Sequence, residues 1–136
     1  MRKISLMVVF LMLFASFSAS ADTEEEGSEA AEQWLVLVDA HQYAESWDEA
    51  ASLFQGNVPK EDWVLALENV HTPLGGVESR SLESTEFTST LPGVPDGEYV
   101  VIKFSTSFAE KAGATETVTV MKTDDGNWRA AGYFIQ

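Results

Sequence analysis

The sequence contains no cysteine. Disulfides, thiol chemistry, cysteine-ligated zinc and a lipid-modified N-terminal cysteine are therefore excluded, and the fold must be held by packing alone. Histidine is nearly as scarce: His41 and His71 stand far apart and form no zinc-binding pattern. Lysine and arginine together number 8 against 22 acidic residues, for a formal net charge of −14. Such a surface repels phosphates, which excludes nucleic acid and disfavours anionic membrane surfaces as partners. Solubility is the ordinary role of this acidity, with a low-affinity calcium surface as the alternative. No glycine-rich phosphate loop occurs, because Gly75-Gly76 lacks the lysine and follows a helical pattern. No Gly-x-Ser-x-Gly elbow surrounds any serine. Asp124-Asp125-Gly126-Asn127 lacks the ligand spacing of a calcium loop and reads as a hairpin turn. No metal and no cofactor are expected.

What is present begins at the N-terminus. Met1-Arg2-Lys3 is positive, residues 4–17 are almost continuously apolar, and Ala19-Ser20-Ala21 is a small-residue cleavage motif before Asp22. An apolar run of about 14 residues is short for a bilayer span, which needs about 20, and suits the core of an export signal. Residues 1–21 are thus expected to be removed, leaving 136 − 21 = 115 residues of charge 6 − 22 = −16. The location expected is periplasmic or secreted, with no stable membrane anchor after cleavage. Hydrophobic residues make up 45% of the chain and aromatics 11%, enough for one core in one domain. Residues 22–28 (DTEEEGS) read as an acidic flexible leader, and residues 29–136 as the domain.

A first helix is expected over residues 29–40, where Ala31, Trp34, Leu35 and Val38 share one stripe. Ser46-x-x-Glu49 has capping-box spacing ahead of a stripe of Trp47, Ala50, Ala51 and Phe54, with Gly56 as C-terminal cap. A start near Tyr43, with Ser46 inside the helix, is the alternative. Pro59 and Glu61-Asp62 suit the first turn of a third helix, with Trp63, Ala66, Leu67 and Val70 on its apolar side and Pro73-Leu74-Gly75-Gly76 as its stop. The period then becomes alternating. Residues 77–88 form a strand with a bulge, or two pieces, because Leu82 and Phe87 have opposite parity. Val100, Ile102, Phe104 and Phe108 alternate in a second strand after the turn cluster at 92–97. Ala112-Gly113-Ala114 turns the chain into a third strand at 115–122, and Asp125-Gly126 makes a hairpin into a fourth starting at Trp128. The fold class is α+β: three N-terminal helices packed on one face of a curved antiparallel sheet of about four strands.

Trp34, Trp47 and Trp63 lie on helical stripes, where core packing is the ordinary role of aromatics. The sharper reading places them on a ligand cleft between helices and sheet. Together with Asp39, His41 and Tyr43 at the end of the first helix, and Arg80 on the first strand, they form the candidate ligand-binding set. His41 and His71 taken singly read as exposed loop residues. Arg80 reads as one partner of a structural ion pair, with anion binding as the alternative. The catalytic residues are unknown.

The series Trp34-Leu35-x-Leu37-Val38-Asp39, Tyr43-x-x-Ser46-Trp47, Ala50-Ala51-x-x-Phe54 and Trp63 resembles the bacterial secreted family called domain of unknown function 4019. So do Pro73-Leu74-Gly75 with Ser79-Arg80, Leu91-Pro92-Gly93-x-Pro95-Asp96-Gly97-x-Tyr99, Glu116-Thr117-Val118 and Gly132-Tyr133-Phe134-Ile135, covering nearly all of residues 30–136. The chain departs from that pattern at His71, where an arginine is expected, and at Pro59, where a capping serine is usual. The resemblance implies a fold and an exported location, without an activity. More distantly, three helices before a meander is similar to nuclear-transport-factor-two-like and cystatin-like cones. The reading that follows is an exported, non-enzymatic protein that binds a small molecule or protein partner in the helix–sheet cleft. One alternative is a small cavity enzyme of hydrolase or lyase type, using Asp39 or His41 with Tyr43. The other is a homodimer through the outward sheet face, with Tyr99, Val101 and Tyr133 as its apolar patch.

Overall fold

A computed structural model describes residues 19–136; residues 1–18 of the expected export signal lie outside the described residues. Four helices, α1 (Ala19–Asp39), α2 (Tyr43–Asp48), α3 (Ser52–Asn57) and α4 (Lys60–Leu74), precede four strands, β1 (Val77–Thr88), β2 (Tyr99–Phe108), β3 (Lys111–Lys122) and β4 (Trp128–Ile135). The strands make an open antiparallel sheet in the order β1-β2-β3-β4, and the helices cover one face of it. This is the α+β class that the switch from helical to alternating period predicts. No helix among the described residues is long and apolar enough to cross a membrane.

The helices number four rather than three because the sheet interrupts the second. Ala51 adopts an extended backbone (φ −65°, ψ 148°) and its N–H donates to Ala130 O of β4 at 2.8 Å. That sheet-type bond replaces a helical one and separates α2 from α3. Because α2 starts at Tyr43, Ser46 lies inside it and donates to Tyr43 O at 2.6 Å instead of capping. Gly56 falls within α3, and Pro59 is the residue before α4 rather than in its first turn. Helix α4 ends at Gly75, whose φ of 73° suits a residue without Cβ.

Residues 22–28, expected as a flexible leader, are the first turns of α1. Glu24 accepts hydrogen bonds from Thr85 Oγ1 and the Phe87 N–H, both at 3.3 Å, and Glu26 accepts one from Trp128 Nε1 at 3.1 Å. Gly27 is buried against β2, where an added Cβ would stand 2.7 Å from Val100 Cβ. Contacts with three strands hold this segment, whose Gly27 and Ser28 are weak helix formers, against the sheet.

In the sheet, Val100, Ile102 and Phe104 of β2 and Val118 and Val120 of β3 point at α1 and α4 and build the core with Trp34, Leu35, Val38, Phe54, Trp63 and Leu67. The register of β1 shifts between Val77 and Ser79 and between Leu82 and Ser84, which accounts for the opposite parity of Leu82 and Phe87. The β2–β3 turn is at Ala109-Glu110, since Phe108 pairs with Lys111. Gly113 is instead a strand residue with φ 75° beside a register shift, so its glycine serves a bulge, not the expected turn. The expected outward apolar patch is also corrected. Tyr133 pairs with Val118 and faces the helices, while Tyr99 faces outward but is covered, its hydroxyl donating to Pro95 O at 2.6 Å.

The tight approach at Gly27 makes a sign prediction. In an exposed helix Gly→Ala gains up to about 1 kcal/mol, but overpacking against the stiff Val100 side chain costs about 1–3 kcal/mol. Gly27→Ala should therefore lower stability in urea unfolding; a gain would mean that residues 22–28 do not pack on the sheet.

Candidate functional site

The densest polar cluster is inside the helix–sheet layer. Glu116 is an inward residue of β3, opposite Phe104 of β2 and Ile135 of β4, and is 0% exposed. Its Oε1 accepts from Arg80 Nε at 2.8 Å and from Thr106 Oγ1 at 2.6 Å, and its Oε2 accepts from the Tyr133 hydroxyl at 2.5 Å. Arg80 turns its other edge to Asp39 at the end of α1, with bonds of 2.8 Å to Oδ2 and 2.9 Å to Oδ1. Burial works against the Arg80 charge, but the hydrogen bonds and charges of Asp39 and Glu116 outweigh it and hold the guanidinium above the ordinary arginine range. Burial, reinforced by Glu116, pushes the Tyr133 phenol far above the usual tyrosine value, so it remains a donor to the carboxylate.

A row of stacked rings extends from Tyr133 of this cluster to the exposed His41. His71 of α4 stacks parallel to Tyr133 at 6.1 Å and 8°, with Nε2 3.4 Å from the Tyr133 hydroxyl. Tyr43 stacks on the other face of the row at 5.9 Å, and His41 on Tyr43 at 5.6 Å. His71, expected in an exposed loop, is 5% exposed. Its desolvation lowers the imidazole pKa from 6.5; Glu116 and Asp39 push it back up, while His41 and Arg80 add to the lowering. Burial, helped by the charge of Glu68, raises that of Tyr43. His41 has φ 60° and sits just past α1, where its N–H donates to Val38 O at 3.0 Å and the Gln42 N–H to Leu37 O at 2.9 Å. That pattern is a Schellman cap with histidine in the place usually taken by glycine.

The candidate residues divide accordingly. Asp39, His41, Tyr43 and Arg80 do meet at one end of the layer. Trp34 and Trp63 lie behind them in the core, 6% exposed each, with both indoles on Ser46: Trp34 Nε1 donates to its carbonyl at 2.8 Å and Trp63 Nε1 to its hydroxyl at 3.0 Å. Their rings and that of Tyr133 pack at 5.6–6.4 Å from one another, so these side chains fill the expected cleft. Trp47 is elsewhere, bonded to Val58 O at 2.7 Å with Lys60 Nζ 5.7 Å from its ring centre. Glu116, Thr106, His71 and Tyr133 complete the cluster and are absent from the sequence-based set. A signal for Glu116 exists: it has the parity of Val118 and Val120, and a lone charge on an apolar strand face requires a partner. Among the described residues every buried side-chain nitrogen and oxygen has a hydrogen-bond partner, and no three His, Asp or Glu side chains are placed to share a metal ion.

Open concave surface lies at the other end. A groove of about 550 Å³ runs between α2–α3 and the β3–β4 turn, lined mainly by polar side chains, among them Asp48, Gln55, Lys122 and Arg129, with Leu53 and Met121 beside them. Arg129 is held by Asp125 at 3.1 Å and Glu49 at 3.7 Å. Hydrogen bonds from Thr123, the Asn127 backbone and Arg129 keep the exposed Asp125 carboxyl well below the usual range.

A protein-family model described as "Protein of unknown function (DUF4019)" matches residues 30–133. A solved 2.5 Å structure from Catenulispora acidiphila is similar in fold, with a TM-score of 0.52 at 12% identity, covering 86% of this chain and 92% of that one. No curated protein matches the sequence.

Two stability predictions follow from the cluster. Glu116→Gln leaves a buried guanidinium short of its counter-charge and should cost about 3 kcal/mol in urea unfolding, whereas Asp39→Asn, at the more exposed end of the same arginine, should cost about 1 kcal/mol or less. His71 has a folded pKa below its unfolded value, so below about pH 6.5 the unfolded chain takes up the proton more readily and stability falls with pH. The fall between about pH 8 and about pH 5 should be steeper in the wild type than in His71→Phe, which keeps the ring stack without the titrating nitrogen. Equal slopes would show that His71 is not held neutral.

Proposed function

The chain belongs to this family of unknown function, and we propose that it is an exported, non-catalytic protein that receives a small molecule or a segment of a protein partner in its surface groove. The observation that carries the reading is the contrast between the two ends of the helix–sheet layer. At the Glu116 end Glu116, Arg80, Thr106 and Tyr133 are bound to one another and buried or nearly so, and Asp39, though exposed, is committed to Arg80. A general acid or base must reach a substrate proton within hydrogen-bond distance; Asp39 has both oxygens on Arg80 and Glu116 is wholly buried. At the opposite end the groove is open, and its lining is mainly polar, with charged side chains of both signs (Asp48, Lys122, Arg129) beside Leu53 and Met121, so polar groups that could orient a ligand are within its reach. It lies where helices and sheet meet, as a helix–sheet binding site should, but outside the aromatic layer.

Export is part of the same reading. Cleavage after Ala21 would leave α1 starting at Asp22-Thr23-Glu24-Glu25, and acidic residues in a first helical turn stabilise it through the helix dipole. The trimmed chain therefore loses only the first three residues of α1 and keeps Glu24, Glu26 and Gly27, which contact the sheet.

Mass spectrometry of the protein purified from its own cell envelope tests both parts. The denatured mass should correspond to a chain starting at Asp22. The native spectrum should show an additional non-covalent mass, weakened about tenfold or more by Lys122→Glu at the groove rim, the equivalent of about 1.4 kcal/mol. An uncleaved chain would overturn export, and a native spectrum without added mass would overturn the groove reading.

A further inference from the structure

The outward face of the sheet breaks the charge pattern of the chain. With 22 acidic residues in the sequence, β2 and β4 contain none, and the single one in β3, Glu116, points inward. Serine and threonine dominate what remains; the charged residues that the register turns outward are Lys103, the already paired Arg129, and Glu86 contributed by β1, while Glu78 and Glu83 sit at the β1 bulges without a paired position. Depletion of charge beside an exposed aromatic is the composition of an interface core; here the aromatic is on the edge strand β4. Phe134 is that aromatic, 51% exposed. Beside it lies a niche of about 250 Å³ among Leu53, Leu91, Val94, Tyr99 and Gly132. Gly132 forms part of its wall and adds no side chain.

The register shows that this face is complementary to itself. Gly132, Thr119, Val101 and Glu86 lie in one row across the four strands, and Phe134, Thr117, Lys103 and Ser84 in the next, about 7 Å along. A two-fold axis in the plane of contact, running between these rows, sets each row of one copy against the other row of its partner. Phe134 then stands over the partner's niche at Gly132. Lys103 stands over the partner's Val101, one strand from the partner's Glu86, so the acid and the base of this face meet across the contact twice. The β1–β2 loop, which rises over Tyr99, falls on the partner's row of Thr115, Ser105 and Ser81, the smallest side chains of the face.

We infer that the outward sheet face is a homodimer interface in which Phe134 of each copy fills the Gly132 niche of the other and Lys103 pairs with Glu86 across the axis. The occupant is a second copy because knob, niche, acid and base all belong to one face, and an axis between the two rows sets knob over niche and base beside acid at once. This inference is independent of the groove reading.

Sedimentation equilibrium on the exported protein, expressed from the full chain, tests it. The wild type should have twice the chain mass, and Phe134→Asp, a change at an exposed position, should have the mass of one chain. Lys103→Glu and Glu86→Lys should each shift the equilibrium towards single chains. An equimolar mixture of those two single variants should recover the dimer, because each copy then meets its complement on the partner; circular dichroism establishes that every variant is folded. A wild type of single-chain mass, a dimer indifferent to Phe134→Asp, or a mixture no more associated than its components would each overturn the interface.

Discussion

A fully buried carboxylate is the constraint around which the layer is arranged. Removing Glu116 from water costs several kcal/mol unless charge and hydrogen bonds replace the lost hydration. The replacement comes from every other strand: Arg80 on β1, Thr106 on β2 and Tyr133 on β4. Arg80 in turn brings in Asp39 at the end of α1. A one-residue slip of any strand would turn its contributing side chain to the opposite face and leave the acid uncompensated. Hydrophobic burial would accept several registers of these Thr- and Val-rich strands. The carboxylate accepts one, and it fixes where α1 ends as well.

The same requirement explains why this polar cluster is not an open site. Its strength depends on excluding water, since each bond gains from low polarity around it. The buried rings of His71 and Tyr43 supply the exclusion on one side of Tyr133, and Trp34 and Trp63 supply it from within. Even the indoles are accounted for, both ending on Ser46, which ties α2 to the core through polar contacts. A protein with no disulfide thus gains its specificity from paired polar groups set among aromatic rings. The accessible concavity is left to the edges, where α2–α3 meet the β3–β4 turn.

Much of this was legible in the sequence, and the rest was hidden for identifiable reasons. The stripe Trp34, Leu35 and Val38 and the alternation Val100, Ile102 and Phe104 depend on local period, so the order of helices and strands and the α+β class could be read directly. Asp39 and Arg80 could be singled out, one as the acid ending a helix and the other as a rare cation, but their pairing depends on sheet register. Glu116 was readable as a misfit of parity, yet its partners come from three other strands. The helix over residues 22–28 was hidden because its contacts, with Val100 and Trp128, come from the distant sheet and leave no apolar stripe in the segment itself. Gly113 misled for the converse reason: a positive φ serves a bulge as well as a turn, and sequence does not distinguish them.

The distribution of charge links the two halves of the molecule. Acidic residues crowd the helical side and the loops, where Glu24 and Glu26 of α1 also serve as hydrogen-bond acceptors for the sheet. On the sheet side the inner strands carry no outward carboxylate. Solubility alone would distribute the acids over every exposed face, because each added charge helps regardless of position. An uneven distribution means that one face was excluded from that role. At a formal net charge of −14, two copies repel one another unless they approach through a region without that charge. The face whose inner strands lack it also carries an exposed phenylalanine, a niche beside it, and Lys103 one strand from Glu86. Composition, shape and register therefore select the same surface from three separate physical requirements.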